Sequence, residues 1–69
     1  MIFDYNRLKS RIRAKGYTYT SFAKAIEISN NSLSEKLNKG LPFRHIEMYK
    51  AKELLDLKNV DDYFFVKRA

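Results

Sequence analysis

Residues 22–38, FAKAIEISNNSLSEKLN, hold two short apolar stripes of helical period with a break of about three residues between them. The first stripe is Tyr19, Phe22, Ala23 and Ile26, spaced i, i+3, i+4, i+7. The second is Leu33 and Leu37, on a helix that Ser29 or Asn30 can cap. So short a break forces the two helices to cross steeply.

The rest of the chain supplies more short helices. Asp4 can cap a first helix that runs to about Lys15, and Gly16 suits the left-handed stop after it. Leu8 and Ile12 face inward on it, with Tyr5 one turn earlier. Arg7, Arg11 and Lys15 share one flank, Lys9 and Arg13 another. Thr18 or Thr20 can cap the second helix. Ser32-x-x-Glu35 has the form of a capping box, but a start there leaves too short a helix. Gly40 ends the third helix and Leu41-Pro42 turns the chain. A fourth helix spans about Arg44 to Leu55, with Met48, Ala51 and Leu55 buried and Leu54 and Ile46 flanking. Asn59 or Asp61 starts a last turn through Tyr63, Phe64 and Phe65, three aromatics too apolar to leave in water. The expected fold is all-α, four to five short helices in one domain over residues 1–69.

A chain of 69 residues buries only about 60% of its unfolded surface, so its stability is marginal. It has no cysteine and one histidine, His45, so disulfides and a zinc site are excluded as staples. Helix packing or a partner subunit must replace them. No apolar run approaches the roughly 20 residues of a membrane span, and MIFDYN is unlike a signal peptide. No membrane role is expected. Enzymatic readings are weak. Asp61 and Asp62 are neighbours that point apart and fit helix capping, His45 has no partner nucleophile in sequence, and no glycine loop cradles phosphate. No cofactor or metal is expected.

The net charge of +6 is unevenly spread. From Tyr5 to Ile26 there are Arg7, Lys9, Arg11, Arg13, Lys15 and Lys24, and no acid. The remainder is balanced. A field confined to one part of a small domain suits a polyanionic partner.

The 22–38 stretch also meets the requirements of a helix-turn-helix unit, over about 18–39. Ala23 is the small residue where two helices touch. Ile26, Ile28 and Leu33 are the apolar residues before, in and after the turn. Asn30, Asn31, Ser34, Glu35 and Asn38 make a polar outer side for the third helix.

The chain resembles the small Cro-like repressors of temperate bacteriophages. It is more closely similar to a group of short phage proteins with a recurrent layout. Here that layout reads YNRL at 5–8, FAKAI at 22–26, SLSEKLN at 32–38, AKELLDL at 51–57 and DYFF at 62–65. The resemblance implies a lambda-repressor-like helix-turn-helix domain. It implies a DNA-binding regulator of the lysogeny–lysis switch in the bacterial cytoplasm, on the nucleoid. It places the start of the third helix at the base edges, with Asn30 and Asn31 deepest and Ser34 and Asn38 further along. An Asn amide matches adenine N6 and N7, and Glu35 can accept from cytosine N4 or pair with Lys39. Tyr19, Ser21, Lys39 and Arg44 are the expected phosphate contacts. Two positions depart from the pattern. Glu27 stands where the left-handed turn favours glycine, and Lys36 where relatives carry an apolar residue.

Double-stranded operator DNA is therefore the first expected partner, bound by a homodimer on a palindromic site. Tyr63, Phe64 and Phe65 are the expected dimer or packing contact, with an antiparallel strand from Phe64 to Lys67 as its alternative form. Some proteins of similar layout act instead as anti-repressors. The alternative partner is thus a phage repressor protein, gripped through the same third helix. An antitoxin-like or RNA-binding role is the remaining reading.

Overall fold

The computed structural model describes residues 2–67; Met1, Arg68 and Ala69, included in the expected domain, lie outside the described residues. The fold is all-α. Five short helices follow in order: α1 (Asn6–Ala14), α2 (Tyr19–Ala25), α3 (Asn30–Lys39), α4 (His45–Leu55) and α5 (Asp61–Phe64). The α2 helix packs on α3, and α1 packs on α5.

Local chemistry explains where the helices begin. Thr18 caps α2: its hydroxyl accepts from the Ser21 N–H at 3.1 Å, and the Ser21 hydroxyl accepts from the Thr18 N–H at 3.0 Å. Ser29 caps α3 through the Ser32 N–H at 3.0 Å, which leaves Asn30 inside the helix. At α1 the cap position falls on Tyr5, which makes no side-chain cap; Asp4 still accepts from the Asn6 N–H at 2.9 Å. Asn59 does the same for the Asp61 N–H at α5.

Four helices end in one way. Residues Gly16, Glu27, Gly40 and Asp56 all have positive φ, at 83°, 63°, 70° and 54°. Each is followed by an apolar residue whose N–H reaches back five residues. Tyr17 donates to the Ile12 carbonyl, Ile28 to Ala23, Leu41 to Lys36 and Leu57 to Lys52, at 2.9–3.1 Å. This is the Schellman arrangement, which satisfies carbonyls the helix leaves open. Two of its four left-handed positions are acidic residues here, not glycine.

The core joins all five helices. Leu8, Ile12, Phe22, Leu33, Leu37 and Leu55 are fully buried. Each such side chain contributes about 1.5–3 kcal/mol by leaving water. Tyr5, Phe43 and Phe64 meet edge to face, with Phe43 5.2 Å from each of the others. The Tyr5 hydroxyl donates to the Leu41 carbonyl, and burial pushes its pKa up to about 12. Phe3 completes the core from an extended segment: its N–H donates to the Gly40 carbonyl at 3.0 Å, and it forms an antiparallel bridge with Lys67. The Asp4 N–H donates to the Val66 carbonyl at 2.7 Å.

Two expectations change. Ile46 is not a flanking core residue; it is 55% exposed, because the inward face of α4 is taken by Glu47, Met48, Ala51 and Leu55. The aromatic run 63–65 is also not one cluster. Phe64 is buried, Tyr63 is half-buried and Phe65 is 46% exposed, since a single helical turn can aim only one of three successive side chains inward.

Candidate nucleic-acid interface

The α2–turn–α3 unit sets the candidate surface. Phe22, Ala23 and Ile26 bury one side of α2, and Leu33 and Leu37 bury one side of α3. Between them run residues 27–29. Glu27 takes the left-handed position, and its carboxylate pairs with the Lys50 ammonium of α4. That hydrogen bond, and then the charge itself, hold the Glu27 carboxyl below the usual carboxylate range. So the residue that departs from glycine is tied to α4.

Lys36 has an equally specific place. Its ammonium donates to Glu47 Oε1 at 2.8 Å and lies 5.4 Å from the centre of the Phe43 ring. Glu47 is only 4% exposed. The same oxygen accepts from the Arg44 N–H at 2.9 Å, closing the start of α4. Burial pushes the Glu47 carboxyl up, but the Lys36 and Arg44 hydrogen bonds and charges outweigh it and hold the group below its ordinary value. The pair fixes α3 against α4, and so fixes which side of α3 faces outward.

That outward side carries Asn31, Glu35 and Asn38, all exposed. The Asn38 amide donates to the Ser34 hydroxyl at 3.2 Å, one turn back. Asn30 and Ser34 lie toward α2. With Arg13, Tyr17, Tyr19 and Thr20 they line an open cleft of about 430 Å³ where the end of α1 and the starts of α2 and α3 converge. Of the residues expected at base edges or phosphates, the cleft gathers Asn30, Ser34 and Tyr19. Ser21 is not among its lining residues; its hydroxyl is engaged with Thr18. Lys39 and Arg44 are exposed at the far end of α3 and the start of α4, away from this cleft.

The sequence places Arg13 only on a basic flank. Its guanidinium lies 5.9 Å from the Tyr19 ring centre. The i to i+6 spacing across a helix stop carries no periodic signal, so this pairing left no trace in the sequence. Arg11 is occupied elsewhere: Nε donates to the Leu55 carbonyl at 2.9 Å, at the carbonyl end of α4. His45 is exposed. Among the described residues no group of three or more His, Cys, Asp or Glu side chains is placed to hold a metal, and no helix is long and apolar enough to cross a membrane.

A protein family described as a protein of unknown function, DUF739, matches residues 1–67. The chain belongs to the DUF739 family. No curated protein matches it. The match in this DUF739 chain takes in all five helices and both segments of the Phe3–Lys67 bridge.

Proposed function

We propose that this protein is a sequence-specific DNA-binding regulator of the Cro-like kind, reading operator DNA with α3. One observation carries the reading: a polar face of α3 is left open to solvent beside an α2 that packs directly on it. A helix so presented fits the major groove, which is about 12 Å wide. Asn30, Asn31 and Asn38 offer donor and acceptor together, and Glu35 is free to accept from cytosine. The acid-free stretch from Tyr5 to Ile26 supports the reading through long-range attraction to phosphate.

One domain this small reads few base pairs, so the protein acts as a two-fold dimer on a palindromic site. Phe65, edge-on to Phe3 but the most exposed residue of the 63–65 run, is the one available for that contact. With Met48, Tyr49 and Val60 it borders an apolar groove on α4, and Tyr49 is 61% exposed. Lys67 is paired with Phe3 inside the chain, which disfavours strand exchange through 64–67.

The exposed Glu35 carboxylate favours a second reading. A phosphate-facing surface rarely carries an acid, so the same face would suit a repressor protein and make this chain an anti-repressor. Selection from a random duplex DNA pool at physiological salt separates the two. Recovery of one palindromic motif, weakened by Asn31→Ala and Glu35→Ala, is the expected result. Recovery of no motif by folded protein overturns the operator reading and favours the anti-repressor.

A further inference from the structure

The cations of α1 differ in what they touch. Arg11 is bound to the carbonyl end of α4. Arg7 lies over the Tyr63 ring, 5.8 Å from its centre, on the side of α1 that meets α5. Arg13 alone of these arginines borders the cleft at the start of α3. No hydrogen bond or ion pair from its guanidinium occurs among the described residues, and no carboxylate lines the cleft.

A guanidinium resting on an aromatic face keeps its in-plane N–H groups available, in the fork that matches two phosphate oxygens. The ring attraction favours the side-chain position that borders the cleft. The Tyr19 and Thr20 side chains in the same lining carry hydroxyls, neutral donors of the kind that accompany arginine at phosphates. Asn30 and Ser34 line the same cleft from α3. An anion held in this cleft, beside two residues of α3, would therefore set the register of whatever α3 reads.

We propose that this cleft is a phosphodiester site, in which Arg13, positioned by Tyr19, grips one backbone phosphate of duplex DNA. The inference rests on the DNA-binding reading and deepens it. It assigns to Arg13 a direct contact, where composition alone suggests only a diffuse field.

The test is fluorescence anisotropy with a random-sequence DNA duplex across a salt series. It compares the wild-type chain with Arg13→Ala, Arg13→Lys and Arg7→Ala, each confirmed folded by thermal melting. Arg7→Ala removes the same charge from the other side of α1. If Arg13 holds a phosphate, Arg13→Ala weakens binding about tenfold at moderate salt. It also makes the negative slope of log K against log salt shallower by about 0.9. Arg13→Lys keeps the slope and recovers part of the affinity, while Arg7→Ala leaves the slope unchanged. Equal losses in Arg13→Ala and Arg7→Ala would mean a field without a site and overturn the proposal. A wild-type chain that binds DNA while Arg13→Ala matches it overturns this proposal alone. A folded wild-type chain that binds no duplex at any salt overturns the DNA reading with it, and an acidic protein surface becomes the ligand to seek.

Discussion

Replacing Gly40 by alanine should destabilise the domain far more than the same change at Gly16. Both glycines have positive φ, +70° and +83°, which costs an L-residue about 1–2 kcal/mol. Around Gly16 an added Cβ meets nothing within 4 Å, so that cost is the whole effect. At Gly40 the added Cβ would lie 2.6 Å from the Phe3 carbonyl oxygen and 2.9 Å from the Phe3 nitrogen. These are backbone atoms and cannot rotate away. The extended segment must lift, breaking the Phe3–Gly40 hydrogen bond, worth about 1 kcal/mol, and exposing part of Phe3, worth up to about 3 kcal/mol when fully buried. We expect a loss of about 1 kcal/mol for Gly16→Ala and about 3–5 kcal/mol for Gly40→Ala. A domain this size holds only about 0.05–0.15 kcal/mol per residue, so the second variant sits near its unfolding limit. Urea denaturation followed by circular dichroism and tyrosine fluorescence measures both. Equal losses in the two variants would refute the claim that the Phe3 segment is seated on Gly40.

Other outcomes follow from the same contacts. A double-mutant cycle of Lys36→Met and Glu47→Gln should give a coupling of about 1–2 kcal/mol, measured by urea denaturation; additive losses would deny the buried pair. Because the Glu47 carboxyl is held below its ordinary value, its contribution is full above that value and is lost as pH falls through the folded one, so Glu47→Gln should flatten the acid limb of stability against pH. Tyr5 is raised to about 12, so its contribution is intact below the ordinary tyrosine value of 10.0 and is lost as pH climbs through 12. In an ultraviolet titration of the five tyrosines the last to ionise should vanish in Tyr5→Phe. If Phe65 and Tyr49 form the dimer contact, Phe65→Ser with Tyr49→Ser should yield a folded monomer by sedimentation, with operator affinity reduced.

What could be read from the sequence was what neighbours in sequence decide. Gly16, Gly40, Thr18 and Ser29 act within one turn of themselves, and they sit where local rules put them. Leu8, Ile12, Leu33 and Leu37 follow from helical period alone. Contacts across long separations left no such trace. Arg11 reaches a carbonyl 44 residues on, and the Tyr5 hydroxyl one 36 residues on. Phe3, outside any periodic segment, is buried only because Gly40 and Lys67 come to it. Lys36 looked misplaced on an apolar side because its partner, Glu47, lies on another helix. The candidate site divides the same way. The residues of α3 were legible as a polar face, whereas Arg13 joined them only once the end of α1 was folded back beside α2.

The Phe3–Lys67 bridge leaves the first and last described segments side by side. A short flexible linker could therefore join them, and the chain could be opened instead between Lys58 and Asn59, both exposed and outside any helix. Such a circular permutant would start at α5 and carry α1 through α4 unbroken behind it. The order in which the helices occur along the polypeptide would change, and the surface offered by α2 and α3 would not.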